Sequence, residues 1–369
     1  MNQQRQPPSP SRRESELLAA AGHGDEGAFE LLLAPYRGEL QAHAYRMLGS
    51  LHDAEDAMQE TMLRAWRSIG RFEGRSSLRS WLYTIATNAC LRLIERRPKR
   101  VLPIDLGPPA DPHGELSEPL VESVWIEPFP DERVAANATE VSPAARYEQR
   151  ESVELAFTAA LQRLPGLQRA ALIMTDVLGF SPAEVADALD ATPTAIYSAL
   201  QRARKATEEQ LPNETQQKRL DEIGEDRVRQ IIDRFVKAWE AADVDRISAL
   251  LTDDCVLAMP PWSEWFSGRE AIAEFLPRGP MRPGRRWRLI PTQANAQPAF
   301  GAYWTDFEGE LHAEGIVVLD LNEQGEVSQI TSFRSPELFS SFALPRAMDP
   351  MSPQGTNAQS AARTRQEHG

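Results

Sequence analysis

LHDAEDAMQETMLRAWRSIGRFEGRSSLRSWLYTIATNACLRLIERRPKR, residues 51–100, is the stretch that decides how this chain is read. Its first half sets Ala54, Met58, Met62, Ala65, Trp66 and Ile69 at the three- and four-residue steps of one helix face, with Asp53, Asp56 and Glu60 on another. A second helix is expected to begin near Ser77, turning Leu78, Trp81, Leu82, Ile85, Ala89 and Leu93 inward, and Pro98 stops it. From Arg64 to Arg100 ten basic residues stand against two acidic ones, although the whole chain carries a formal charge of −14. A basic patch on an acidic protein is the electrostatic footprint of nucleic-acid contact rather than a device for solubility.

Outward from this stretch, Phe29, Leu32, Leu33, Tyr36, Leu40 and Met47 mark an earlier apolar helix face. After it, residues 101–145 hold eight prolines, nine acidic residues and a single basic one, Arg133, so they are expected to act as a linker. The apolar island Val124, Trp125, Ile126 and Phe129 inside that linker is expected to dock. Residues 146–212 are helical again. Ser181-Pro182-Ala183-Glu184 is a capping box with proline at the first helical position, and Thr192-Pro193 opens a second helix carrying Ile196, Ala199, Leu200 and Ala203. Two short helices joined by a tight turn make a helix-turn-helix. In residues 225–345 helices lead into strand-like runs at 255–259, 287–292, 299–306, 311–321 and 327–333, the pattern of an α+β domain. Residues 1–25 and 346–369 read as disordered tails.

A length of 369 residues allows two or three domains. Only Cys90 and Cys255 are present, far apart and each in an apolar pattern, so neither a disulfide framework nor a metal site is expected, and no cofactor. No apolar run approaches the roughly 20 residues of a membrane span, and the expected compartment is the cytoplasm.

DAEDAMQETMLRAWRS and SSLRSWLYTIATNACLRLIERR resemble regions 2.2 to 2.4 of the extracytoplasmic-function group of sigma-70 factors. LPGLQRAALIMTDVLGFSPAEVADALDATPTAIYSALQRARK resembles region 4 of the same group, and DPHGEL and WIEPFPD with the block after them are similar to an actinobacterial subgroup bearing a SnoaL-like C-terminal extension. The resemblance spans residues 26 to 345. It implies a multi-domain fold: two all-α helical domains, region 2 over 26–100 and region 4 over 146–212, followed by an α+β SnoaL-like cone domain over 225–345. It implies no catalytic residue in the sigma regions, and partners in the RNA polymerase core (clamp and flap) and promoter DNA.

Residue by residue, the resemblance puts the polymerase contact on Asp53, Asp56, Gln59 and Glu60. It puts −10 element recognition on Arg75, Arg79, Trp81, Tyr83, Asn88, Arg92, Arg96 and Arg97, with the loop Phe72–Ser77 holding a flipped base. Thr194, Tyr197, Ser198, Gln201, Arg202, Arg204 and Lys205 would enter the major groove of the −35 element. Tyr197 and Ala199 depart from the group's commoner pattern, where Lys and Arg often sit, which leaves fewer cations for the groove.

SnoaL-like folds occur in small enzymes and in non-catalytic modules, so this domain is open from sequence. Its aromatics are Trp262, Trp265, Phe266, Tyr303, Trp304 and Phe333, and the polar candidates for a pocket are Asp254, Glu264, Asp306 and His312. The favoured reading is a structural core that modulates access of the sigma domains to polymerase or promoter. A small-ligand pocket and a catalytic site are the alternatives here, and a stand-alone helix-turn-helix regulator is the alternative for the chain.

Overall fold

Each helix that matters for function starts on a side-chain cap. Ser50 Oγ accepts from the Asp53 amide at α4 (Leu51–Ser68), and Ser77 Oγ from the Ser80 amide at α5 (Leu78–Arg96). These caps satisfy amides that have no partner within the helix. Ahead of them lie α1 (Arg12–Gly22), α2 (Glu26–Leu33) and α3 (Arg37–Leu48). The expected tail over 1–25 is therefore helical from Arg12, and Leu17, Leu18 and Ala20 pack on the core. The apolar face read from Phe29 to Met47 is two helices rather than one. Pro35, which has no backbone N–H, sits in the 3-10 turn Ala34–Tyr36 that separates them.

The computed structural model describes residues 12–120, 124–135, 153–211, 214–305 and 309–348. They divide into two units: one is the chain to Leu106 with Leu120–Lys218 and Ala294–Ala296, and the other is Gly107–Pro119, Arg219–Gln293 and the chain from Gln297.

In the first unit α1–α5 are joined by α6 (Leu155–Arg163), α7 (Gly166–Leu172), a π-helical turn Ile173–Val177, α8 (Pro182–Ala188) and α9 (Pro193–Glu208). The Ser181–Glu184 capping box and the Thr192 cap form where the sequence places them. One core joins Leu82, Tyr83 and Ala86 of α5 to Ala171, Met174, Phe180, Val185 and Ile196. Regions read as two helical domains thus share a hydrophobic cluster. The linker contributes too: Trp125, Ile126 and Phe129 are buried, and Trp125 bridges Val101.

In the second unit α10 (Glu225–Glu240) and α11 (Val244–Ser248) precede a sheet of order β2-β1-β6-β5-β4-β3. The strands are β1 (Leu251–Ala258), β2 (Trp265–Ser267), β3 (Arg286–Ala294), β4 (Gln297–Thr305), β5 (Leu311–Leu321) and β6 (Val327–Phe333), with α12 (Arg269–Phe275) between β2 and β3. β1 and β6 run parallel, while β4–β5 and β5–β6 are antiparallel. Phe235 of α10 stacks on Trp239 and on Phe300 of β4, which centres the core on one sheet face. The β4–β5 register shifts between Ala302 and Tyr303, opposite Glu314 and Gly315. A side chain at Gly315 would run into the Phe333 carbonyl, so the bulge needs glycine there.

Candidate nucleic-acid and polymerase interfaces

The acidic face of α4 is not a uniform solvated stripe. Asp53 is buried, its carboxylate paired with Arg97 and, at 2.6 Å, with Arg100 Nη2. Asp56 takes a second bond from Arg97 Nη2 at 2.8 Å. Glu60 pairs with Arg64 one turn on, and that hydrogen bond holds its carboxyl below the usual range. Gln59 is exposed. The four residues therefore divide: Asp53 and Asp56 tie α4 to the end of α5, whereas Gln59 and Glu60 face outward. At the start of α4, Glu127 Oε2 accepts from Ser50 Oγ, Leu51 N and His52 N at 3.0, 2.7 and 3.2 Å. An anion on three donors of a helix N-terminus is the favourable placement.

On α5, Trp81 is half-buried with Phe72 tilted against it at 5.2 Å, so the loop Phe72–Ser77 leans on the same indole. Arg75 is exposed and pairs with Glu73 at 3.1 Å. Arg79 and Tyr83 are engaged within the fold. Arg79 Nε and Tyr83 Oη both donate to Glu39 Oε2, at 3.2 and 3.1 Å. The Arg79 guanidinium lies 4.8 Å from the Tyr83 ring centre and 5.3 Å from that of Phe180. Tyr83 has no exposed surface, and burial pushes its hydroxyl pKa up. Tyr83, placed by the resemblance among the −10 residues, is therefore not open to stack on a base in this state.

Asn88 Nδ2 donates to Thr84 O at 2.9 Å and to Ala188 O, at the end of α8, at 3.2 Å. Further along α5, Arg96 is exposed and Arg92 half-buried. The Arg92 pKa is lowered by burial and by Arg64, with a smaller push from Arg96. Cations crowded in this way raise the local positive potential that attracts phosphates. Arg97 is committed to Asp53 and Asp56.

The exposed side of α9 carries Thr194, Tyr197, Gln201, Arg202, Arg204 and Lys205, with Ser198 half-buried. Ala199 is wholly buried, so of the two departures from the commoner pattern only Tyr197, at 59% exposure, changes the outward face. An open groove of about 470 Å³ runs between Tyr197, Leu200, Gln201, Arg204, Lys205 and Glu208. Arg204 is held bidentately by Asp176 of the π-turn, Nε to Oδ2 at 2.9 Å and Nη2 to Oδ1 at 2.7 Å.

Within the same unit Asn295 is fully buried and satisfied on every side. Its Oδ1 accepts from Phe129 N at 2.9 Å, and its own amide donates to Phe129 O at 2.9 Å. Its Nδ2 donates to Tyr45 Oη at 2.8 Å and Val153 O at 2.6 Å. Asn295 and Ala296 both have φ of 57°. The left-handed region is tolerated by asparagine and costs alanine more.

In the second unit the expected pocket groups scatter. Asp254 is exposed, Glu264 accepts from Ser117 N and Oγ at 2.7 and 3.0 Å, and Asp306 lies outside the described residues. Trp265 donates to Gly107 O, Phe266 stacks on Phe275, and Tyr303 packs on Phe339 with its hydroxyl on Pro345 O. Phe333 is buried. His312 and Trp304 meet ring to ring at 5.0 Å.

Beside them is a cluster that spacing does not reveal. Glu314 pairs with Arg334 and, at 3.5 Å, with Arg285. Arg334 lies over Trp262, and Arg285 over Trp287 and Trp304. The Glu314 carboxylate is thus committed to two guanidiniums, which is not the arrangement of a general base. Among the described residues no group of three or more His, Cys, Asp or Glu could hold a metal. No helix among them is long and apolar enough to cross a membrane.

Comparison with known proteins follows the same division. The family described as Sigma-70 region 2 matches residues 32–100, Sigma-70, region 4 matches residues 154–206, and SnoaL-like domain matches residues 232–330. The chain is 42% identical over 325 residues to the ECF RNA polymerase sigma factor SigG of Mycobacterium tuberculosis, covering 87% of this chain and 85% of that protein. It is 32% identical over 193 residues to the ECF RNA polymerase sigma factor SigM of the same species, covering 52% of this chain and 82% of that one. The crystal structure of the M. tuberculosis extracytoplasmic function sigma factor SigJ shares the fold, with a TM-score of 0.52 at 21% identity over 84% of this chain and 97% of that chain. The helix-turn-helix, the arginine-rich helix before it and the α+β domain after it thus fall in one order, and the chain belongs to the extracytoplasmic-function sigma factors, with a SnoaL-like domain at its C-terminal side.

Proposed function

We propose that this chain binds the RNA polymerase core through the outward part of α4, Gln59 and Glu60, and reads promoters with two separate surfaces. Trp81, Asn88, Arg75, Arg92 and Arg96 take the −10 element, and the exposed side of α9 takes the −35 element. The observation that carries this reading is the pairing of a crowded cationic strip on α5 with a capped helix-turn-helix whose second helix exposes Thr194, Tyr197, Gln201, Arg202, Arg204 and Lys205. Aromatic faces beside cations capture unpaired bases at about 1–3 kcal/mol per base. Helix side chains in the major groove supply duplex readout.

Arg79, Tyr83 and Asn88 are engaged inside the first unit, so promoter melting requires α5 and α8 to part first. Core polymerase supplies the free energy for that opening by binding the open form better. The SnoaL-like domain is a modulator in this scheme rather than an enzyme. Support comes from its place on the same chain as the two sigma regions, a domain-sized match over residues 232–330, where tethering lets a weak contact suffice. Transcription with purified core on promoters found by mapping RNA 5′ ends tests the scheme. Output should depend on this chain and should change when residues 213–369 are deleted; unchanged output after that deletion removes the modulating role.

A further inference from the structure

Of the cations on the exposed side of α9, Arg204 alone has a carboxylate built against it. Among the described residues Arg202 and Lys205 make no ion pair, whereas Arg204 is gripped at two nitrogens by Asp176. The grip is itself supported. Thr175 Oγ1 lies 3.0 Å from Asp176 Oδ1 and 2.7 Å from Ala171 O, so its one proton is shared between the two acceptors. Both residues sit in the π-turn Ile173–Val177, whose extra residue per turn shifts the side-chain phase against α7. Arg204 is more than half exposed and lines the groove beside Tyr197, Gln201 and Lys205.

A guanidinium held through Nε and Nη2 keeps Nη1 free, in a fixed plane, with little rotamer entropy left to lose. Its net charge is largely cancelled by the carboxylate, so it gains less from phosphates than a free arginine would. We infer that Asp176 is a positioning residue for promoter reading: it fixes Arg204 as a base-edge donor and withdraws it from phosphate binding, leaving Arg202 and Lys205 to supply backbone contacts. The inference rests on α9 being the −35 reader and deepens that reading by naming what sets its specificity.

The test uses the full chain as holoenzyme with core polymerase. It measures affinity for a mapped promoter duplex and for the same duplex with the −35 segment scrambled, across a salt series. Asp176→Asn is expected to lower the promoter-to-scrambled ratio by roughly tenfold, the scale of one specific base-edge contact. It should also steepen the log–log salt slope by up to about 0.9, because the released arginine takes a phosphate. Asp176→Glu should recover part of the ratio, and Arg202→Gln should reduce the slope while leaving the ratio in place.

Three results overturn the inference, and they differ. If Arg204→Gln lowers the ratio but Asp176→Asn changes neither ratio nor slope, the positioning role is wrong and the −35 reading stands. If Arg204→Gln, Gln201→Ala and Lys205→Gln all leave promoter affinity unchanged, α9 is not the reader and both fall. Equal weakening on both duplexes by Asp176→Asn, with a lowered melting temperature, would mark the pair as merely structural and also overturn it.

Discussion

Asn88 on α5 donates its side-chain amide to the carbonyl of Ala188, the last residue of α8, at 3.2 Å. A residue expected to read the −10 element is thereby spent on the helix-turn-helix half of the unit. Tyr83 is sealed in the same way by Phe180, whose ring meets its own edge-on at 5.5 Å. Backbone amides of α5 and α8 should therefore be strongly protected from hydrogen exchange in the free chain. They should lose protection at residues 82–90 and 185–189 when core polymerase binds. Unchanged protection in the holoenzyme would mean that reading proceeds without opening.

Asp53 and Glu60 lie on one helix but do different work. Removing one partner of a buried ion pair leaves an uncompensated charge, so Asp53→Ala should cost about 3–5 kcal/mol of stability. Glu60→Ala should stay within about 0.5 kcal/mol while weakening core binding. Thermal melts and a core-binding titration of the two variants separate these effects. Loss of core affinity without loss of stability in Asp53→Ala would contradict the assignment.

Asn295 fills four hydrogen-bonding roles at once. Asn295→Ala orphans the Phe129 amide and the Val153 carbonyl, at about 1–3 kcal/mol for each buried group left unmade. The neighbouring Ala296 holds a φ of 57°, and Ala296→Gly should stabilise by about 0.5–1 kcal/mol through release of left-handed strain. Denaturant unfolding of both variants should give shifts of opposite sign.

Burial pushes the Asp320 carboxyl on β5 up to about 7, while Arg219 draws it down by less. Its folded pKa lies above the unfolded value, so the folded state holds the proton more tightly. The stabilisation is present at acid pH and is lost as pH rises from about 4 towards 7. Asp320→Asn keeps an acceptor for Gln297 Nε2, which reaches Asp320 Oδ1 at 2.6 Å. That variant should flatten the pH dependence and be the more stable protein at pH 8, by about 4 kcal/mol at most. A wild-type melting temperature that rises over this interval, with Asp320→Asn following it, would contradict the assignment.

Much of this was legible because local chemistry and tertiary structure agree. Ser77, Ser181 and Thr192 cap helices where a side-chain oxygen precedes an apolar period, and the strands at Leu311–Leu321 and Val327–Phe333 fall on the runs read from sequence. What stayed hidden depends on residues distant in the chain. Nothing near Asp53 announces Arg100, and a π-turn leaves no periodic mark that would aim Asp176 at Arg204. Trp125 and Phe129 were visible as an apolar island, but the polar partner of the Phe129 backbone is Asn295, more than 160 residues away. Glu314 and Arg334 meet because a glycine bulge at Gly315 re-aims β5, a contact that spacing does not encode.

The measurement that bears most directly on the central claim is transcription by purified core polymerase on genomic DNA, with and without this chain, followed by sequencing of RNA 5′ ends. The account predicts new start sites, dependent on the chain, that share one −10 and one −35 element. Those starts should be lost in a variant combining Asn88→Ala with Arg204→Gln. Absence of new starts from both the full chain and a 1–212 truncation, together with tight duplex binding in the absence of polymerase, would contradict it.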